Sequence, residues 1–103
     1  MLSLSGKGTP REEEFTNACK FLGVDEHTCA NDEKLIDGLK EKWCEETVRK
    51  YVGDYVRDHN IKAVFTFDKH GVSDHPNHIA LFNAMKEIEV KPDTKDCIKI
   101  YYL

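Results

Sequence analysis

The chain has 103 residues, 40% hydrophobic and 33% charged, a balance that excludes a disordered tail and a membrane bundle and allows at most one domain with a modest core. Fifteen Lys and Arg against nineteen Asp and Glu give a formal net charge of −4. With the basic residues scattered as well, no electrostatic drive toward nucleic acid or anionic lipid remains. No stretch approaches the ~20 apolar residues that a bilayer span needs, and Met1-Leu2-Ser3-Leu4 runs into Ser5-Gly6-Lys7-Gly8 without a signal-peptide pattern.

Taken in chain order, Leu2 and Leu4 alternate with serines as a short strand does, and Gly6 and Gly8 make a turn. Thr9-Pro10-Arg11-Glu12 is a helix start, with Thr9 as cap, Pro10 in the first turn and Glu12 completing a capping box. Phe15, Ala18, Cys19 and Leu22 follow at helical spacing, and Gly23 ends the helix. His27 to Asn31 is a weak strand candidate, and Asp32 to Gly38 reads as a loop. Val48, Tyr51, Val52, Tyr55 and Val56 mark the core-facing stripe of a second helix, from about Lys42–Glu45 to His59–Asn60.

Ala63 to Phe67 reads as a buried strand, Asp68 to Asp74 as a loop, and His75-Pro76-Asn77-His78 as the opening of a third helix. That helix presents Ile79, Phe82, Met85 and Ile88, and Ile98 to Leu103 is a final strand. Alternation of strands and helices favours an α/β fold with a largely parallel sheet, in which ligands gather at the carboxyl ends of strands. Two polar loops fall there, Ser5 to Thr9 and Asp68 to His78.

The four cysteines, Cys19, Cys29, Cys44 and Cys97, form no C-x-x-C pair and read as reduced thiols serving as small apolar side chains. Ser5-Gly6-Lys7-Gly8-Thr9 has the look of a phosphate cradle, but the motif's upstream glycine would fall at Met1 and Gly8 stands where Ser or Thr is required. A plain strand-to-helix turn is the better reading. The second loop is richer. Asp68, His70, Asp74, His75 and His78 follow directly on a strand, and His75 and His78 are three residues apart at a helix start. Spacing alone leaves two readings of each: His75 as cap or acid/base, His78 as solvated or metal-ligating, Asp68 as loop brace or active-site carboxylate.

Thr66-Phe67-Asp68, Gly71-Val72-Ser73, His75 and Asn77-His78 together resemble the signature of the PIG-L/LmbE-like deacetylases. Leu2 to Ser5, Arg11-x-x-Glu14, the Asp32 to Gly38 loop and Trp43 extend the similarity over most of the chain. The G-V-S-x-H-x-N-H form is nearest the eukaryotic branch, which acts on N-acetylglucosaminyl-phosphatidylinositol in GPI-anchor synthesis. The resemblance implies a Rossmann-like three-layer α/β fold and amide hydrolysis assisted by zinc. It also implies His78 as a zinc ligand, His75 as oxyanion stabiliser or general acid, and Arg11 and Asp68 on the substrate side.

The resemblance further implies the cytoplasmic face of the endoplasmic reticulum membrane, reached through an N-terminal anchor. Neither that anchor nor the family's A-H-P-D-D-E strand, which supplies the other ligands and the base, stands before Met1. The expectation is therefore a single partial domain over residues 1–103, truncated at both ends, and inactive alone because one ligand of three does not hold a catalytic zinc. The alternatives are a non-enzymatic binding or regulatory remnant, and a deacetylase of another GlcNAc glycoside.

Overall fold

The structure, a computed structural model, describes residues 1–90 and 98–103. In chain order the elements are β1 (Leu2–Ser3), α1 (Pro10–Leu22), β2 (Thr28–Cys29), α2 (Glu45–Asp58), β3 (Ala63–Thr66), α3 (Gly71–Asp74), α4 (Pro76–Val90) and β4 (Lys99–Tyr102). The fold is α/β and compatible with a Rossmann-like arrangement, because each strand pair is parallel. Leu2 lies beside Thr28 in the first pair, and Val64 lies beside Ile100 in the second. The strands form two two-stranded sheets, where the alternation had suggested one.

One core joins them. Leu4, Leu35, Val48, Val52, Val56 and Met85 pack together, with Leu2, Val64 and Ile100 partly buried against them. α2 behaves as its stripe predicts: Val48, Val52 and Val56 are buried, and Tyr51 and Tyr55 are half-buried. α1 does not. Cys19 is its one buried residue, Phe15 is half-buried, and Ala18 and Leu22 are exposed. None of these four residues belongs to the shared core, and Cys19 Sγ instead meets Met1 Sδ at 3.8 Å.

Two further expectations are corrected. β3 is half-exposed and not buried, because helix packing covers one face only. Phe65 stays 67% exposed and stacks on Tyr101 of β4 at 4.9 Å. The cysteines are not uniformly packed either: Cys19 is buried, Cys29 half-buried and Cys44 exposed, while Cys97 lies outside the described residues.

The capping box at α1 is displaced by one residue. Thr9 Oγ1 accepts from the Arg11 N–H at 3.2 Å, but the Glu12 carboxylate reaches the Gly8 N–H at 2.7 Å instead of Thr9. The Thr9 N–H is already bonded to the Gly6 carbonyl at 3.1 Å, which explains the shift.

Candidate functional site

The site is built where β3 ends. Asp68 Oδ1 accepts from the N–H groups of His70 and Gly71, at 2.9 and 3.1 Å, and so turns the chain sharply as it leaves the strand. Gly71 then sits with φ +56, and a Cβ there would lie 2.6 Å from His78 Cβ. Only a glycine lets the turn approach the first turn of α4 this closely. Beyond it Val72 is held at φ 71, ψ −48 and Asp74 at φ 57. Both conformations are costly for L side chains and tie the loop to one shape.

This loop fixes His78. Its Nδ1 lies 2.9 Å from the Gly71 carbonyl. A carbonyl only accepts, so the neutral ring carries its proton on Nδ1 and keeps a lone pair on Nε2. The ring is sandwiched between Phe67, at 3.9 Å and 7°, and His75, at 4.6 Å and 22°. His75 is arranged the opposite way. Its Nδ1 accepts the Asn77 backbone N–H at 3.2 Å, which leaves the proton on Nε2. That Nε2 lies 4.0 Å from Asp37 Oδ1.

Asp37 belongs to a long loop, residues 32–44, that is fastened at several points. Leu35 plugs into the core with 2% exposure. Tyr51 Oη donates to Asp32 Oδ2 at 3.0 Å, and the Trp43 indole donates to the Ile36 carbonyl at 2.8 Å. The Lys34 N–H, together with that tyrosine hydroxyl, holds the Asp32 carboxyl below the usual carboxylate range. The Asn77 side chain, 2% exposed, closes the last gap. Its Oδ1 accepts from Gly38 N–H at 3.1 Å and its Nδ2 donates to the Glu41 carbonyl at 3.2 Å.

The structure thus brings His75, His78 and Asp68 into one turn and adds Asp37, Gly71 and Asn77 around them. Asp37 lies within the Asp32 to Gly38 loop and Asn77 within the helix start at His75, and neither pattern gives them a role. The signal for Asn77 was a polar residue one position from each of Pro76 and His78, on a helix turn that packs inward. Arg11 stands apart. It is exposed on the first turn of α1, and no hydrogen bond or ion pair joins it to His75, His78 or Asp68 among the described residues.

The loop after β1 resolves as a strand-to-helix turn that holds its own anion. Glu12 takes the Gly8 N–H and also Lys7 Nζ, at 2.9 Å. Those two contacts, the backbone one first, pull its carboxyl below the usual range, and the bond to Glu12 raises Lys7. The groups that a phosphate would need are already bonded. A cleft of about 710 Å³ between the start of α2 and α4 is walled by Trp43, Cys44, Arg49, Pro76 and Asn83. Neither histidine of the turn lines it.

A zinc ion needs at least three protein ligands. His78 Nε2 is chemically suited to be one, but no group of three His, Cys, Asp or Glu residues able to hold a metal occurs among the described residues. These residues therefore do not make a complete zinc site by themselves. No helix among them is long and apolar enough to cross a membrane.

Curated relatives are similar to the chain. A probable N-acetylglucosaminyl-phosphatidylinositol de-N-acetylase of Schizosaccharomyces pombe is 36% identical over 93 residues, covering 87% of this chain and 38% of that protein. One of the same description from Dictyostelium discoideum is 29% identical over 85 residues, 81% of this chain and 33% of its own length. The N-acetylglucosaminyl-phosphatidylinositol de-N-acetylase of Bos taurus is 28% identical over 87 residues, 82% of this chain and 34% of its own length. The chain thus spans roughly a third of the length of the curated relatives it matches. No solved structure matches it. The family profile described as PIG-L, GlcNAc-PI de-N-acetylase, matches residues 3–89, and with the strand-end histidine turn in place the chain belongs to the PIG-L family.

Proposed function

We propose that this chain carries the histidine turn of a deacetylase acting on N-acetylglucosaminyl-phosphatidylinositol in GPI-anchor synthesis. The observation that carries the reading is the stacked pair His75 and His78, whose outward nitrogens differ: one bears a proton and the other a lone pair. Amide hydrolysis needs both kinds of group. Water oxygen bonds to the acyl carbon, the carbonyl oxygen gains negative charge, and the C–N bond breaks as the amine takes a proton.

His75 Nε2–H is the donor we assign to the charged oxygen; because its Nδ1 already accepts the Asn77 N–H, the neutral ring keeps that proton. The proton lost by the attacking water is the one the leaving amine takes, carried by the carboxylate base that the resemblance places on the A-H-P-D-D-E strand. His78 Nε2 is assigned to zinc, which when bound polarises a carbonyl and acidifies water. Arg11 and Asp68 are assigned to the substrate side, Asp68 through the shape that it gives the loop. The lipid substrate would be met at the cytoplasmic face of the endoplasmic reticulum membrane. Because one imidazole does not retain zinc, the 103-residue chain alone is expected to bind the headgroup without releasing acetate.

Titration calorimetry with soluble N-acetylglucosaminyl-inositol, run beside an acetate assay, tests this. Saturable binding that is weakened by His75→Ala, with no acetate formed, agrees with the proposal. Absence of binding to the folded chain refutes it.

A further inference from the structure

We propose that Asn77 is a positioning residue: its buried carboxamide fastens the 32–44 loop to the histidine turn and so holds Asp37 against His75. The Gly38 carbonyl accepts the Glu41 N–H at 3.4 Å, which closes a tight turn. The two outward groups of that turn, the Gly38 N–H and the Glu41 carbonyl, are the two that Asn77 takes, at 3.1 and 3.2 Å. A carboxamide carries an acceptor oxygen and a donor nitrogen on one planar unit, and with one bond from each it pairs with the turn as a neighbouring peptide group would. Its orientation is fixed by chemistry, since an N–H can only donate and a carbonyl can only accept.

The same residue reaches the site through its backbone, whose N–H fixes the His75 tautomer at 3.2 Å. Asp37 directly precedes Gly38, and its Oδ1 stands 4.0 Å from His75 Nε2. One residue thus touches His75 itself and the residue next to Asp37. Asp37 is 47% exposed at its side chain and lies between two fastenings, the Trp43 indole on the Ile36 carbonyl and Asn77 on the Gly38 N–H. Of the two, only the Asn77 fastening comes from a residue that also touches His75. With Asn77 at 2% exposure and no buried side-chain polar atom among the described residues lacking a partner, the carboxamide acts as a clamp bonded at both its oxygen and its nitrogen.

The clamp's value to catalysis rests on the reading of His75 given above, but its geometry can be tested without substrate. In the 15N-labelled full chain, nuclear Overhauser contacts are expected between the Asn77 carboxamide protons and residues Gly38 and Glu41. Their absence from the wild-type spectrum overturns the proposal whatever the variants do. Asp37→Asn is expected to shift the His75 ring resonances in the wild-type background. In Asn77→Asp, which keeps the acceptor for Gly38 but turns an oxygen toward the Glu41 carbonyl, that response should fall several-fold. Exchange of the Gly38 amide should rise about tenfold in Asn77→Ala, which removes the acceptor altogether.

A purely structural asparagine would lower the unfolding midpoint but leave the Asp37-to-His75 response intact, and that result contradicts the clamp. Headgroup binding separates the two claims. Coupling without binding sinks the proposed function alone, and binding without coupling sinks the clamp alone.

Discussion

His75 and His78 stack with their ring centroids 4.6 Å apart and 22° between their planes, and each is held by a different neighbour in the opposite tautomer. The Gly71 carbonyl sets one ring and the Asn77 N–H sets the other. Long-range 15N–1H correlation at a pH where both rings are neutral should find the proton on Nδ1 of His78 and on Nε2 of His75. The same tautomer in both rings would contradict the arrangement.

The approach of Gly71 to α4 is tight enough to be read in stability. Gly71→Ala adds a Cβ 2.6 Å from His78 Cβ at a φ of +56. The backbone penalty and the clash together should cost about 2–4 kcal/mol in urea unfolding. A change within about 0.5 kcal/mol, the usual range for an innocuous surface substitution, would show that the turn relaxes freely.

Leu35 anchors the loop that carries Asp37. It is 2% exposed among α2 and α4 side chains, so Leu35→Ala should destabilise by about 2–5 kcal/mol through lost burial and the cavity left behind. Headgroup binding should weaken further than the fraction unfolded accounts for, since the loop loses its plug. Equal losses in both would mean that the loop does not serve the site.

The other end of that loop is pH-sensitive. The Lys34 N–H and the Tyr51 hydroxyl hold the Asp32 carboxyl below the unfolded value of about 3.9. As pH falls below that value, the unfolded chain takes up a proton that the folded chain still refuses. The stabilisation is complete above the unfolded value and is lost as pH drops through the depressed folded one. Tyr51→Phe removes one of the two causes, so its urea midpoint should fall less than the wild-type one between pH 6 and pH 3. An equal or steeper fall would contradict the assignment.

Thiol chemistry distinguishes the cysteines that composition had treated alike. Cys44 is exposed at the start of α2, where the first-turn N–H groups, Thr47 foremost, favour the thiolate and lower its pKa. Burial raises Cys29, and Cys19 is enclosed. Of these three, iodoacetamide should modify Cys44 first in the folded chain, as peptide mapping would record. Faster reaction at Cys19 would contradict the packing of α1.

The extent to which the sequence revealed this arrangement varied with the kind of signal. The stripe of α2 and the Pro76 start of α4 were legible because each depends on its own neighbours. The half-exposure of β3 was not, since a run such as Ala63 to Phe67 looks the same whether one face is covered or two. His75 and His78 were visible from type and spacing. Their tautomers were not, because these depend on a carbonyl and an N–H that any residue could supply. Asn77 escaped for a similar reason: its partners, Gly38 and Glu41, lie 39 and 36 positions away and are met through their backbones.

Whether His75 and His78 are working groups of a deacetylase can be read from exchange into a relative. The 93-residue segment of the S. pombe protein that matches this chain would be replaced by the corresponding residues here, once the parent is shown to release acetate from N-acetylglucosaminyl-phosphatidylinositol. The folded chimera is expected to release acetate, and His78→Ala or His75→Ala within it should remove at least about 99% of the rate, the scale of a lost ligand or hydrogen-bond donor. Undiminished acetate release from a folded chimera carrying His78→Ala would contradict that role.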